Sequence, residues 1–197
     1  MWHTRRRGRS CRAASLLKGR LCMYRCVSME VLKTQTEDIF RHLLHHRAPN
    51  VFPRNERREN RAIYRKVVQV SNDVTERKEW ADLLCCFVST TTTTNGASRL
   101  RALLENVLNE DGLSWGRVII AMIFALDVNI KLHGSQTNQE NAICSELAEL
   151  MCAIAGRWLL RRGGWSGMID AAEPSIFVAV VNLICRMWTA PVCVIVS

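Results

Sequence analysis

The sequence lacks the motifs that identify the common enzyme classes. It has no glycine-rich phosphate-binding loop, no H-E-x-x-H zinc motif, and no G-x-S-x-G nucleophile turn beyond a superficial similarity at residues 164–167. Histidines and acids are sparse in the segments predicted to be buried, and no nucleophile is paired with a base. We therefore expect no catalytic residues and no enzyme activity.

The sequence also lacks a metal-binding or disulfide framework. The nine cysteines are odd in number and include no C-x-x-C pair, which favours free thiols in a reducing intracellular compartment. There is no N-terminal signal sequence with an apolar centre and no N-x-S/T acceptor site. His42, His45 and His46 have a spacing that suits a metal, but histidines at a helix C-terminus also suit the helix dipole. We favour the second interpretation and predict no metal and no cofactor.

Acidic residues are absent from the first 29 residues, which contain eight basic ones. The net charge of +9 is therefore concentrated there, and residues 30–197 carry only +1. A nearly neutral body does not support nucleic-acid binding, so we predict no nucleic-acid partner. Residues 1–29 are predicted to be a basic leader. Their composition is that of a mitochondrial transit peptide or of a disordered extension before a start at Met29.

Hydrophobic periodicity predicts an all-α domain over residues 30–173. Amphipathic helices are predicted over residues 31–46, 61–87 and 98–110, the last capped by Gly112. Residues 114–132 form a further helix whose nine consecutive apolar residues, 118–126, require burial on all sides. Nine residues are too few to span a bilayer. This helix is expected at the centre of the protein.

A second apolar helix completes a central hairpin. It begins at a T-x-x-E capping box, Thr137 to Glu140, and is predicted to end at Gly156. One helical turn at residues 158–160, a corner at Gly163-Gly164 and a short helix over residues 165–172 follow. The amphipathic helices are expected to surround the hairpin.

Residues 174–197 are mostly apolar but include Asn182, Arg186 and Pro191. An Arg near the middle of a membrane span costs about 2.5–3.5 kcal/mol by insertion scales. A C-terminal membrane anchor and a helix that covers a groove are both compatible with this tail.

Two segments carry a family resemblance. Residues 111–118, DGLSWGRV, resemble the first homology motif of the Bcl-2 family of apoptosis regulators, D-G-x-N-W-G-R. Residues 158–165, WLLRRGGW, resemble the second motif, W-x-x-x-x-G-G-W. The third motif is a helix with apolar positions at offsets 0, 4, 7 and 11, which Ile63, Val67, Val70 and Val74 match. The resemblance covers about residues 30–173 and departs at Asn72, where the family has Asp.

The resemblance implies a Bcl-2-type helical bundle with a surface groove for the amphipathic death-motif (BH3) helix of a partner. It implies that Arg117 pairs with the partner's Asp, that Gly116 allows close backbone approach, and that Ser114 replaces an Asn. It further implies a groove floor of Ile119, Ile120 and Phe124, with walls formed by Leu104, Leu108, Val70, Val74 and Arg77. The structural positions of the motifs would be Trp115, Trp158, Gly163, Gly164 and Trp165.

The function implied is inhibition of apoptosis by sequestration of pro-apoptotic family members through their BH3 helices. Because Asn72 replaces the motif Asp, the chain's own third motif would be a poor ligand, which favours the pro-survival role. A pore-forming effector of the same fold is the alternative. The family resemblance places the protein inside the cell, in the cytoplasm and at the mitochondrial outer membrane or endoplasmic reticulum.

Overall fold

The computed structural model describes residues 27–47, 60–91, 95–109, 113–133 and 140–171. All regular structure in these ranges is helical, which confirms the all-α prediction. Residues 27–29 of the predicted leader are among the described residues, and Met29 is the first residue of a helix. The rest of the leader, the predicted caps at Gly112 and Thr137, and residues 174–197 lie outside the described residues.

Six long helices and a short seventh follow one another along the described chain. Their bounds are α1 Met29–Arg47, α2 Arg61–Thr75, α3 Lys78–Ser89, α4 Gly96–Asn109, α5 Trp115–His133, α6 Glu140–Arg161 and α7 Gly167–Asp170. Within these ranges, no helix is long and apolar enough to cross a membrane.

The α5 helix is the centre of the bundle, as its uninterrupted apolar run predicts. Every side chain from Val118 to Val128 is buried, and α1, α2, α3, α4 and α6 all pack against it. Each large aliphatic side chain buried in this way contributes about 1.5–3 kcal/mol. Asp127 is the one ionisable residue in this run, and it is only 5% exposed.

The prediction that Gly156 ends a helix is wrong, because α6 continues through it to Arg161. Gly156 is buried where α6 packs along α1. A Cβ atom there would lie 3.1 Å from the side chain of Met29. The glycine therefore serves close helix packing, and the turn predicted at residues 158–160 is the last part of α6.

The single helix predicted over residues 61–87 is also wrong, because the chain breaks between α2 and α3. Arg77 has extended backbone angles, φ −84° and ψ 134°. The apolar stripe of α2 ends at Val74, and continuing its period would place the polar Arg77 and Lys78 toward the core. The break restores burial by rotating Trp80 and Phe87 inward, where they are at most 2% exposed.

The predicted corner at Gly163-Gly164 is confirmed, since both residues have positive φ angles, 84° and 67°. A 3-10 turn, Gly164–Ser166, and the short α7 then replace the single helix predicted over residues 165–172. The Lys66 ammonium of α2 donates to the Met168 carbonyl of α7 at 2.7 Å. Because α7 has only four residues, its carbonyl groups lack partners within the helix, and the Lys66 ammonium satisfies one of them.

Candidate helix-binding site

The two Trp-Gly motifs meet in space. The Trp115 ring centroid lies 4.9 Å from that of Trp158 and 5.9 Å from that of Trp165. The Trp165 indole N–H donates to the Thr36 hydroxyl of α1 at 2.9 Å. Thr36 in turn donates to the Leu32 carbonyl at 2.7 Å. We name these three tryptophans the tryptophan corner, and it joins the start of α5 and the end of α6 to α1.

The first turn of α5 presents the charged part of the motif. The Ser114 hydroxyl accepts a hydrogen bond from the Arg117 backbone N–H at 3.3 Å, so Ser114 is the N-cap of α5. Serine is among the best residues for this position, and it supplies the capping that the family's Asn would provide. Gly116 and Arg117 are both partly exposed beside the cap.

The seven apolar residues predicted to form the groove floor and walls all lie in the hydrophobic core. None is more than 8% exposed: Val70, Val74, Leu104, Leu108, Ile119, Ile120 and Phe124. Arg77, the remaining wall residue, is exposed, and its Nε donates to the Asp73 carbonyl at 3.2 Å. The structure therefore brings the apolar set together but covers it.

Helix α3 supplies the cover over Phe124. The Trp80 ring meets the Phe124 ring edge to face at a centroid distance of 5.7 Å, and the Phe87 ring does so at 5.5 Å. Such aromatic pairs contribute about 0.5–1.5 kcal/mol beyond the area they bury. We name these three residues the α3 cluster.

A buried polar network lies beside the α3 cluster. The Asp127 carboxylate accepts the Trp80 indole N–H at 2.9 Å and forms an ion pair with Arg47 of α1. Arg47 also donates to the Ser71 hydroxyl of α2 at 2.7 Å. Burial lowers the pKa of Arg47 to about 10, so it remains a cation at neutral pH. The network joins α1, α2, α3 and α5.

Sequence reasoning missed this network, although one signal was present. Asp127 directly follows nine apolar residues in a helix expected to be buried, and a buried carboxylate needs a partner. The sequence does not show which residues are the partners, because Arg47 and Trp80 lie 80 and 47 residues away from Asp127.

A cleft of about 510 Å³ opens next to the network. Trp80, Leu84 and Val88 of α3 form one side, Ile130 of α5 contributes to the other, and the Arg47–Asp127 pair also lines it. Cys85 is an exposed free thiol on its rim. The cleft leaves α3 incompletely packed along this edge.

Two of the three histidines near the end of α1 contact α2. His42 stacks on Tyr64 at a centroid distance of 4.4 Å, and His46 hydrogen-bonds Asn72 at 3.1 Å. Asn72, the residue that replaces the motif Asp, thus contacts the chain's own α1. Among the described residues no group of three or more His, Cys, Asp or Glu is placed to hold a metal.

The cysteines in the described ranges, Cys85, Cys86, Cys144 and Cys152, are free thiols. Burial raises the pKa of the Cys152 thiol, which keeps it protonated at neutral pH.

No protein-family model matches the chain, and no curated protein does.

Proposed function

We propose that this protein is a Bcl-2-type inhibitor of apoptosis that sequesters the BH3 helix of pro-apoptotic partners. The observation that carries the proposal is the meeting of the two Trp-Gly motifs at the tryptophan corner, beside Arg117 in the first turn of α5. The motifs are 40 residues apart in sequence, at the start of α5 and the end of α6, and the packing of these two helices brings their tryptophans into contact.

The position of Arg117 supports a binding role. A cation in the first turn of a helix opposes the helix dipole, which typically costs 0.3–1 kcal/mol. The helix dipole therefore does not account for a cation at this position. A planar guanidinium suits a bidentate contact with a carboxylate, and an Asp on the incoming helix provides one.

The contact between Asn72 and His46 supports the pro-survival direction. A death motif acts as a ligand through its Asp, and α2 has an amide at that position which already bonds α1. Helix α2 is accordingly a poor donor and the protein a receptor. We assign it to the cytoplasm and the mitochondrial outer membrane or endoplasmic reticulum, with residues 174–197 as the candidate membrane contact.

The test is titration of BH3 peptides against the full chain. Dissociation constants below about 1 μM are expected, and Arg117→Asp should weaken binding at least 30-fold, because losing one partner of a buried charge pair costs 2–5 kcal/mol or more. Arg157→Asp, an exposed Arg on α6, is the matched control and should bind as the wild type does.

Two results would refute the proposal. One is the absence of binding by any peptide; the other is binding that is indifferent to Arg117→Asp. Dye release from liposomes by the purified protein, together with sensitisation of cells to death, would instead support the pore-forming alternative.

A further inference from the structure

Helix α3 is held in place by few interactions. It has 12 residues and no side-chain cap at its N-terminus, and isolated helices of that length are marginal in water. Its outward residues Ala81, Asp82, Cys85 and Cys86 are exposed. Four buried side chains anchor it: Trp80, Leu83, Leu84 and Phe87. Segments with few buried contacts open at the lowest free energy.

One of these anchors makes a directed bond. The Trp80 indole N–H donates to the Asp127 carboxylate on α5, and a hydrogen bond to an ionised acceptor is roughly twice as strong as a neutral one. The Arg47 guanidinium forms an ion pair with the same carboxylate. A cleft of about 510 Å³ lies along the same edge of α3, so the side chains there have fewer packing partners. The attachment of α3 to α5 therefore depends more on this hydrogen bond.

The position of α3 decides whether the predicted groove exists. Phe124, one of the three predicted floor residues, is 1% exposed, and the Trp80 and Phe87 rings of α3 pack against it. A partner helix cannot insert a side chain against Phe124 while both rings remain there. Access to the floor therefore requires α3 to move.

We propose that the Trp80–Asp127 hydrogen bond is a latch that holds α3 over Phe124, and that a helix entering the groove must release it. Asp127 is thus a positioning residue, acting through Trp80. The first half of the proposal is independent of function, whereas the second half rests on the function proposed above.

The experiment measures amide hydrogen exchange in α3 and BH3-peptide affinity for the full chain, in the wild type and two variants. Trp80→Phe keeps an aromatic ring and the Arg47–Asp127 ion pair but removes the donor. Trp165→Phe is the matched control, because it also removes a buried indole N–H bond of 2.9 Å, the one to Thr36. Far-UV circular dichroism confirms that each variant is folded.

The expected result is that α3 amides exchange at least about tenfold faster in Trp80→Phe, since a hydrogen bond to a charged group contributes 1.5–3 kcal/mol. Trp165→Phe should leave α3 exchange unchanged. Peptide affinity should rise up to about tenfold in Trp80→Phe only, because the apparent dissociation constant falls as the open fraction rises.

Asp127→Asn provides a second variant should Trp80→Phe not fold. It weakens the indole bond and also leaves Arg47 without its anionic partner, so α3 exchange should rise relative to exchange in α6, whose amides report any general loss of stability. Unchanged α3 exchange in both variants would overturn the latch. Faster exchange without tighter binding, in a protein that does bind peptide, would overturn its role in access. If no variant binds peptide, the proposed function fails while the exchange rates still decide the latch.

Discussion

The tryptophan corner and the α3 cluster solve the same packing problem by different means. Each contains a buried tryptophan whose indole N–H donates at 2.9 Å. The corner is fixed by its backbone, since Gly163 and Gly164 adopt positive φ angles and a Cβ at Gly167 would lie 1.9 Å from the Arg162 carbonyl oxygen. The α3 cluster is held together by contacts between side chains, two of which lie on a helix of 12 residues.

This difference teaches where the molecule can change shape. At the corner, Trp165 bonds a hydroxyl on α1, which packs along α6, so opening it would disturb two of the longest helices. At the α3 cluster, we expect one short helix to open without unfolding the rest. Phe124 of the predicted groove floor belongs to the second region, and the four predictions below test the contrast between the two.

The largest effect is expected at Arg47, which supports the α3 cluster. Arg47→Met leaves the Asp127 carboxylate buried without its cation, and breaking a buried ion pair in this way costs about 3–5 kcal/mol. Denaturant unfolding measures the loss. The double variant Arg47→Met with Asp127→Leu should recover only part of it, because no buried charge then remains but the Trp80 indole N–H loses its acceptor. A single variant within 1 kcal/mol of the wild type would show that the ion pair does not organise this region.

The next effect is expected at the tryptophan corner, from Gly167→Ala. The added methyl would overlap the Arg162 carbonyl, and relieving the overlap requires backbone movement. Overpacking of this kind costs about 3 kcal/mol. Ser166→Ala, at an exposed neighbouring position, should change stability by less than about 0.5 kcal/mol. Equal thermal midpoints for the two variants would contradict a corner fixed by its backbone.

A smaller effect is expected from Thr36→Val, which removes the acceptor of the Trp165 indole N–H. A buried donor left unsatisfied costs about 1–3 kcal/mol. Thr34→Val is the matched control, because Thr34 also donates to the carbonyl four residues earlier but is exposed. Chemical denaturation of both variants should show a loss for Thr36 only. If both lose the same stability, the effect belongs to helix propensity.

The smallest effect concerns pH and His45. Burial lowers the pKa of His45 below its ordinary value, and the charge on Arg41 adds to this. The unfolded chain therefore binds more protons than the folded one as pH falls through 6.5, so stability decreases on acidification. His45→Gln should make the thermal midpoint less dependent on pH between 7.5 and 5.5. An identical pH dependence in the two proteins would assign it to other groups.

The existence of most helices could be predicted because local periodicity encodes it. The apolar run of α5 requires burial on all sides, and the stripe of α2 requires one buried face, whatever packs against them. Breaks and ends were predicted less well. The phase of the apolar stripe changes after Val74, which indicates a break. The helix predicted over residues 61–87 nevertheless continues through this point. A glycine can end a helix or allow close packing between helices, and the sequence does not distinguish the two roles at Gly156. The nearby Met29 side chain shows that close packing is the role here.

The candidate site divides along the same line. The sequence by itself determined that α5 is central, that Ser114, Gly116 and Arg117 stand at its start, and that two Trp-Gly motifs flank a helical pair, because each of these is a property of neighbouring residues. Tertiary structure alone decided that Trp80 covers Phe124 and that Asp127 bonds residues from α1 and α3. Those contacts depend on which helix faces lie opposite one another, a global outcome of packing that no local pattern specifies.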